Sequence, residues 1–483
     1  MEAKIYLEKR DCYQYPSSEA YFSPHIQYPE YPFSKDTLSS FPNEIYDMVR
    51  NSLYGLGLDK QRFGTKEWNP LGDYVQHGKR ILLKPNWVVS SNVIGGLDCT
   101  VTHPSIIRCL VDYCIIAGAK TIEIGDAPVQ GCDFNLLMEK HGYNRIFVFF
   151  RNRNIDILVT DFRLTITKTT LKRVLLPEKN PNIKPKNTVE FDLKEASYFN
   201  SLTDKSIYQI ADYHSNKLNT RHNADHHQYL ISKAIVDADL IINLPKPKTH
   251  RFAGITAAQK NFIGICSDKE YLPHYRKGTP QKGGDESNHS TVLGNWLSFF
   301  NKQRCKCVEK KNIPLQFLFA VMQYGTHVLK DIFVPKQYAH GKWHGNDTIW
   351  RTILDLNLIL LYGDSNGTLD FNATPRNVLN IGDLIIAGEK NGPLKPEPKP
   401  LGVILASNNC TVFDYVFCKI TGFDYNLIPA IRHSINNKLF VNNLTADILL
   451  NSNVSNLNNV PLSQISFPSE WHFIPNPSWK EIL

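Results

Sequence analysis

The sequence predicts an α/β fold in which mainly parallel sheets with flanking helices form two lobes around a cationic cleft. Three observations lead to this prediction. The 483 residues are 42% hydrophobic and 21% charged, which is the usage of a globular chain with a sizeable core. Residues 80–126 have the pattern of a strand, a helix and a second strand, and a similar alternation returns in 351–483. Such a unit places its two strands parallel in one sheet.

Changes in this pattern predict four segments. Residues 1–78 are rich in tyrosine and proline and are expected to form an N-terminal extension packed on the body. The first α/β lobe is expected at 79–266, with a strand-rich insertion near 152–200. A mixed loop and helical segment follows at 267–350. The second α/β lobe and a C-terminal tail occupy 351–483.

Individual elements are predicted from apolar runs and from the residues that end them. Pro104 and Gly118 bound one helix, because proline is favoured in the first turn and glycine just after the last. The predicted strands are Arg80–Leu83, Thr121–Gly125 and Asp239–Leu244, and the predicted helices are Asn43–Leu53, Ser105–Ala117, Val292–Phe300 and Leu315–Leu329. The alternation of helix and strand resumes through Thr352–Leu361, Val378–Ala387 and Leu401–Ala406.

Charge and cysteine content narrow the class of protein. The net charge of +8 is dilute over 483 residues and scattered, so no nucleic-acid partner is expected. No apolar run approaches the roughly 18 residues that cross a membrane, and Glu2 and Glu8 interrupt the apolar run that a secretory signal needs. No membrane partner is therefore expected. Ten cysteines spread along the chain indicate reduced thiols and a cytoplasmic location.

Polar side chains follow three of the predicted strands. Because ligands of open parallel sheets bind beyond the carboxyl ends of the strands, these side chains are expected to converge. Lysine binds phosphate or carboxylate, and a desolvated lysine or a histidine moves protons near neutral pH. A solvated basic loop is the alternative interpretation. The three groups are Lys84 with Asn86, then Asp126, and then Lys246, Lys248 and His250.

Two further segments extend this cationic set. Lys260 and Asn261 lie among small residues that permit close approach by a ligand. Residues 269–285 contain His274, Arg276 and Lys277 before a glycine pair, which is typical of a loop that closes over an anion, although an exposed surface loop is equally consistent.

A third segment contributes Arg351, which lies one helical turn beyond Asp347. The alternative role of Asp347 is only to cap a helix.

The segment 221–227 is the predicted metal candidate. On a helix, His222 and His226 share a face with Asp225 beside them, although a polar histidine-rich loop is the alternative. The cysteine spacing does not fit a four-iron cluster, so no built-in iron–sulfur cluster is expected. The phosphate-loop, GxSxG and strand-following GxGxxG patterns are also missing from the sequence. The cofactor stays unassigned.

Several of these segments together resemble the family called domain of unknown function 362. The specific one is DADLIINLPKPKTHRFAGITAAQKNFIGIC at 237–266, supported by RILLKPNWV at 80–88 and THP at 102–104. Matches at 269–280, 283–285, 344–357 and 385–402 are similar to a longer branch of the family. The resemblance covers most of 79–425 and implies a cytoplasmic α/β protein. Many members carry a fused ferredoxin module with clustered cysteines, a pattern from which this sequence departs.

Three functions remain open at this stage. The first is an enzyme that acts on a small anionic metabolite or an activated sugar, with proton-transfer or isomerase-type chemistry favoured. The second is a metal- or electron-handling protein that works with a separate iron–sulfur partner. The third is a non-catalytic ligand-binding protein. The residues predicted for catalysis are His250, Lys248, Asp126 and His274, and those for substrate binding are Lys84, Asn86, Lys246, Lys260, Asn261, Arg276, Lys277 and Arg351.

Overall fold

The computed structural model describes residues 2–75, 79–170, 174–202, 207–210, 215–334, 337–441 and 448–483. Strands and helices alternate through most of these ranges. The strands are β1 (Ile5–Lys9), β2 (Arg80–Pro85), β3 (Thr121–Asp126), β4 (Ile157–Asp161), β5 (Thr165–Thr170), β6 (Val174–Lys179), β7 (Thr188–Asp192), β8 (Tyr208–Gln209), β9 (Gln228–Ser232), β10 (Leu240–Leu244), β11 (Lys248–His250), β12 (Gly254–Thr256), β13 (Tyr275–Arg276), β14 (Asn377–Asn391), β15 (Lys395–Ser407), β16 (Leu449–Ser452) and β17 (Val460–Pro461). The helices are α1 (Glu44–Gly55), α2 (Pro104–Ile116), α3 (Phe134–Lys140), α4 (Tyr143–Arg151), α5 (Ser215–Arg221), α6 (Lys233–Val236), α7 (Ala258–Asn261), α8 (Val292–Glu309), α9 (Ile313–Phe333), α10 (Ile349–Tyr362), α11 (Cys410–Thr421) and α12 (Pro429–Ser434).

One large sheet runs through the molecule in the order β17-β16-β1-β15-β14-β10-β2-β3-β4. From β14 to β4 each neighbouring pair is parallel, whereas β15 is antiparallel to both β14 and β1. All five residues of β10 are buried, as expected for a parallel strand covered on both faces. The predicted fold class, a mainly parallel α/β protein with flanking helices, is confirmed.

The sheet draws strands from distant parts of the chain. Its central strands β2 and β10 come from residues 79–266, β14 and β15 come from 351–483, and β1 pairs with β15 through Ile5 and Ser407. The parallel pairing of β2 with β3 confirms the predicted strand–helix–strand unit, with α2 as its crossover.

Long helices follow the predicted apolar segments and extend beyond them. The helix predicted at Leu315–Leu329 is α9, which begins at Ile313 and ends at Phe333. Asn312 caps it by accepting a hydrogen bond from Leu315 N, which explains the earlier start. Among the described residues, no helix has both the length and the apolar content needed to cross a bilayer.

Candidate functional site

A cavity of about 610 Å³ lies where β2, β3 and β10 end at their carboxyl termini. Parallel strands deliver their following loops to one edge of the sheet. Four of the six strand-end side chains predicted from the sequence therefore meet there, namely Asn86, Asp126, Lys248 and His250. Several of its walls are apolar, including Trp87, Phe252 and Leu272. Its polar wall includes Asn86, Asp126, Lys248, His250, Lys260, Asn261, Lys269 and His274.

Asp126 on the cavity wall forms an ion pair with Lys84, which is not among the residues that line the cavity. Lys84 Nζ lies 2.7 Å from Asp126 Oδ1, and both side chains are buried. Asp126 also accepts hydrogen bonds from the backbone N–H groups of Trp87 at 2.7 Å and of Ala127 at 2.8 Å. Burial lowers the pKa of Lys84 and raises that of Asp126, and each charge opposes the shift of the other. The pair therefore fixes two strand ends in place.

Lys248 is held with its ammonium at the cavity. Its Nζ donates to Asn86 Oδ1 at 2.6 Å and to the Lys246 carbonyl at 2.7 Å, and Asn86 in turn donates to Asn261 Oδ1 at 2.8 Å. Burial, reinforced by the charge of Lys246, lowers the pKa of Lys248 well below its usual value. These hydrogen bonds orient Lys248 for an anionic group inside the cavity.

Lys246 lies outside the wall of this cavity, although it is only two residues from Lys248. Its Nζ pairs with Asp383 Oδ2 at 2.9 Å and donates to the Tyr15 hydroxyl at 2.6 Å. Both Lys246 and Asp383 are fully buried. Lys246 thus contributes to a separate polar cluster behind the cavity.

The two histidines on the wall both have Nδ1 engaged by the backbone, and their Nε2 atoms differ in protonation. His250 Nδ1 accepts hydrogen bonds from the N–H groups of Phe252 at 3.1 Å and Ala253 at 3.2 Å, so the proton of the neutral ring is on Nε2. His274 Nδ1 lies 2.8 Å from the Leu272 carbonyl, which only accepts, so the His274 lone pair is on Nε2. Burial lowers the pKa of His274 to about 4 and that of His250 well below its usual value. One ring therefore offers a proton and the other accepts one.

Two lysines add charge to the cavity without a carboxylate partner among the described contacts. Burial, with the charges of Lys269 and Lys84, lowers the pKa of Lys260 to about 7. Burial lowers the pKa of Lys269 to about 8, and its Nζ donates to the Ala127 carbonyl at 2.9 Å. Sequence analysis missed Lys269 as a site residue, although it begins the cationic segment that was singled out. Clustered lysines of this kind are suited to an anion, which relieves their mutual repulsion.

The other predicted cations are placed away from the cavity wall. Arg276 pairs with Asp347 at 2.8 Å, and Arg351 contacts the same carboxylate at 3.1 Å. Lys277 is exposed. Arg351 also donates to the Tyr198 carbonyl at 2.5 Å. The structure therefore gives these arginines partners within the protein and does not bring them together with the histidines.

The predicted helical metal site at 222–227 is wrong in its geometry. Helix α5 ends at Arg221, and residues 223–226 form a tight turn in which Asn223 Oδ1 accepts from the N–H groups of Asp225 and His226. His222 points inward with Nε2 at 2.9 Å from the Tyr271 carbonyl, whereas His226 is exposed and pairs with Asp192 at 2.6 Å. His222, Asp225 and His226 therefore do not share one helical face.

Comparisons with known proteins place the chain in a family. The family described as domain of unknown function (DUF362) matches residues 81–184 and 185–419. A thylakoid-associated protein of Synechocystis sp. is 24% identical over 199 residues, which are 41% of this chain and 43% of that protein. The match therefore spans less than half of the length of that relative.

Two solved structures share a distant similarity. A crystal structure of a Thermotoga maritima protein aligns with a TM-score of 0.30 and 10% identity, covering 73% of this chain and 54% of that one. The lactate racemase apoprotein of Thermoanaerobacterium thermosaccharolyticum aligns with a TM-score of 0.27 and 12% identity, covering 70% of this chain and 48% of that one. These values are too low to support an argument about function.

Proposed function

We propose that this chain, which belongs to the domain of unknown function 362 family, is an enzyme that transfers a proton within a small phosphate- or carboxylate-bearing molecule. The observation that carries the proposal is the pair of neutral imidazoles on the cavity wall, His250 with its proton on Nε2 and His274 with its lone pair there. General acid–base chemistry requires one group of each kind within reach of one substrate. Lys248 and Lys260 supply N–H donors for the anion, whose negative charge favours the protonated form of both amines.

The roles of the residues follow from their hydrogen bonds. The anionic group binds between Lys248, oriented by Asn86, and Lys260. His274 Nε2 takes the proton of a C–H or O–H bond beside that group, and the His250 Nε2–H returns a proton to a second position. The ring of Phe252 contacts both, with its centroid 5.9 Å from that of His250 and 5.8 Å from that of His274. A substrate that carries apolar atoms next to its anionic group fits these walls.

A cytoplasmic location belongs to this proposal. The structure describes all ten cysteines and joins none of them in a disulfide, and most of them are buried. Reduced, buried cysteines are typical of a reducing compartment. The cyanobacterial relative is named as thylakoid-associated, and a location next to a membrane inside the cytoplasm is compatible with this proposal.

The binding step is tested by thermal shift with inorganic phosphate, pyrophosphate and citrate. A ligand that binds the native state raises the Tm. We expect at least one of these anions to raise the Tm of the wild type, and Lys248→Met to remove most of the rise. Lys277→Met is the matched control, because Lys277 is an exposed lysine away from the cavity, and it should keep the full rise. Equal shifts in all three proteins would contradict the assignment of the site.

The chemical step is tested by solvent exchange. Small phosphorylated and carboxylated molecules that raise the Tm are incubated with the protein in D₂O, and deuterium incorporation is followed by NMR. We expect incorporation by the wild type and a loss of at least about 100-fold in His274→Gln, the scale of a missing general base. Saturable binding without any incorporation would instead favour the ligand-binding protein. Incorporation that needs added iron would favour the metal- or electron-handling protein.

A further inference from the structure

We propose that Asp98, His103 and His141 form a divalent transition-metal site, separate from the cavity described above. One ligand atom from each residue lies within 4.8 Å of the others, and His141 Nδ1 is 3.9 Å from Asp98 Oδ1. Three ligands on one zinc-like ion, with bonds of about 2.1 Å, lie about 3.4–3.6 Å from one another. Shifts of at most about 1.4 Å, to which the half-exposed Asp98 side chain contributes, close the site.

The hydrogen bonds of the two histidines leave nitrogen atoms available. His103 Nδ1 lies 2.8 Å from Ser105 Oγ and 3.2 Å from Ser105 N, so Nε2 is a ligand in the tautomer whose Nδ1–H donates to Ser105 Oγ. In His141, Nδ1 faces Asp98 and is the ligand atom, while the buried Nε2, which has no hydrogen-bond partner among the described residues, carries the proton. The neutral imidazole is the form that binds metals.

The charges around this cluster suit a divalent cation. Lys246 pairs with Asp383, whose carboxylate also accepts from His103 N at 2.9 Å. With two neutral histidines, Asp98, Asp383 and Lys246 sum to one negative charge, which a divalent ion offsets. A second cleft of about 600 Å³ is lined by both His103 and His141 and gives an ion access. Two imidazoles and one carboxylate favour Zn²⁺, Co²⁺ or Fe²⁺ and leave coordination positions for water or a ligand.

The test uses Co²⁺ and Zn²⁺ on full-length protein stripped with a chelator. We expect one Co²⁺ per chain with visible d–d absorption, competed by Zn²⁺, and a fall in Zn²⁺ affinity of at least tenfold by calorimetry in Asp98→Asn and in His141→Gln. His226→Gln is the matched control, because it removes an exposed histidine that also pairs with an aspartate. Asp98→Asn changes a half-exposed side chain, so it keeps the test valid if His141→Gln fails to fold. Absence of saturable binding, or equal losses in His226→Gln, would overturn the proposal.

A different observation carries a second proposal: the hairpin of α8 and α9 docks on an anionic lipid surface. The polarity of α9 is inverted, because its buried positions are Gln316, Ala320, Thr326 and Lys330. Its exposed positions include the large apolar side chains Phe317, Leu318, Met322, Leu329, Ile332 and Phe333. A surface helix of a water-soluble protein has the opposite arrangement. We infer that the outer face of α9 contacts an apolar medium.

Breadth and charge favour lipid over a second copy of the chain. The exposed apolar residues of α9 include the consecutive pairs 317–318 and 321–322, so the apolar face covers a wide part of the helix circumference. A helix that pairs with one other helix needs only a narrow apolar stripe. Trp296 on α8 is also exposed, and aromatic residues favour the boundary between headgroups and acyl chains. Lys310 and Lys311 at the turn between the helices are exposed and complement anionic headgroups. This proposal departs from the sequence expectation of no membrane partner.

Vesicle sedimentation tests the hairpin. The full chain is mixed with phosphatidylcholine vesicles containing or lacking 30% phosphatidylglycerol. We expect binding to the anionic vesicles, at least tenfold weaker binding in Leu318→Glu/Leu329→Glu, and unchanged binding in Val93→Glu, which alters an 89% exposed apolar residue outside the hairpin. A dimer in light scattering that the double substitution dissociates, without vesicle binding by the wild type, would show that a second copy covers this face.

Discussion

Replacing Lys260 with methionine is expected to stabilise the protein at neutral and acidic pH while removing a group of the proposed site. The pKa of Lys260 falls from 10.5 to about 7 on folding, because its ammonium is buried beside Lys269 and Lys84. The folded protein therefore binds this proton less tightly than the unfolded chain. Methionine keeps a similar stem and removes the charge, so it removes the cost of burying an ammonium.

The size of the effect follows from proton linkage. Each tenfold change in the protonation equilibrium corresponds to about 1.4 kcal/mol. At pH 6 the lysine is protonated in both states, and the cost to folding is about 5 kcal/mol. At pH 9 the folded protein carries the neutral amine, and about 2 kcal/mol remains. Stability of the wild type thus rises with pH through this window, and the advantage of Lys260→Met shrinks.

The assay is the Tm of both proteins between pH 6 and 9. For a chain of 483 residues, about 1 kcal/mol moves the Tm by about 1 °C. We expect Lys260→Met to melt about 5 °C above the wild type at pH 6 and about 2 °C above it at pH 9. Differences in packing add a constant offset, so the change of the difference with pH is the diagnostic quantity. A difference that stays constant from pH 6 to 9, as expected for Lys277→Met, would refute the reasoning.

Three further predictions concern the same region. Gly264→Ala is expected to lower the free energy of unfolding by more than about 3 kcal/mol in urea titrations. The added Cβ would overlap Asp126 Oδ1 and lie 2.8 Å from Lys84 Nζ. Gly131→Ala is the control, because its Cβ enters open space and should leave the stability nearly unchanged. Lys84→Met leaves the buried Asp126 unpaired and should cost about 3–5 kcal/mol in the same titrations, and a loss below 1 kcal/mol would show that the pair is dispensable. The free energy of unfolding should fall as the pH drops from 6.5 to 4, because the unfolded chain protonates histidine rings that the folded protein keeps neutral. His274→Gln should recover about 3 kcal/mol of this loss at pH 4. A variant that loses as much stability in acid as the wild type would contradict the environment assigned to His274.

Local patterns predicted the framework of the fold well. The apolar runs at Arg80–Leu83 and Asp239–Leu244 form neighbouring parallel strands, because β-branched and leucine-rich runs bounded by proline fit a sheet buried on both faces. The prediction at 222–227 failed for an equally local reason, since the Asn223 side chain favours a turn over a helix. The N-terminal segment contributes β1 to the sheet, a pairing with residues almost 400 positions away that no local pattern encodes.

The candidate site was predicted in part. Strand-end placement brought together Asp126, Lys248 and His250, and the cationic segment supplied His274. The position of these residues after a strand did not predict that Lys248 lies at the cavity and Lys246 does not. Lys248 contacts Asn86, whereas Lys246 pairs with Asp383. Sequence analysis placed both lysines in one site, with Lys248 in catalysis and Lys246 in substrate binding. Their partners, and therefore their roles, depend on side chains contributed by other strands.

The sequence by itself determined the parallel α/β framework, the family and the edge of the sheet where the polar loops gather, because each of these depends on patterns within a few neighbouring residues. Only the tertiary structure decided which lysines lack carboxylate partners, which histidine carries its proton on Nε2, and that Asp98, His103 and His141 meet. These properties require burial and contact between segments distant in sequence. The effects of burial and of a neighbouring charge on a side chain depend on groups within a few ångströms in space, whatever their separation along the chain.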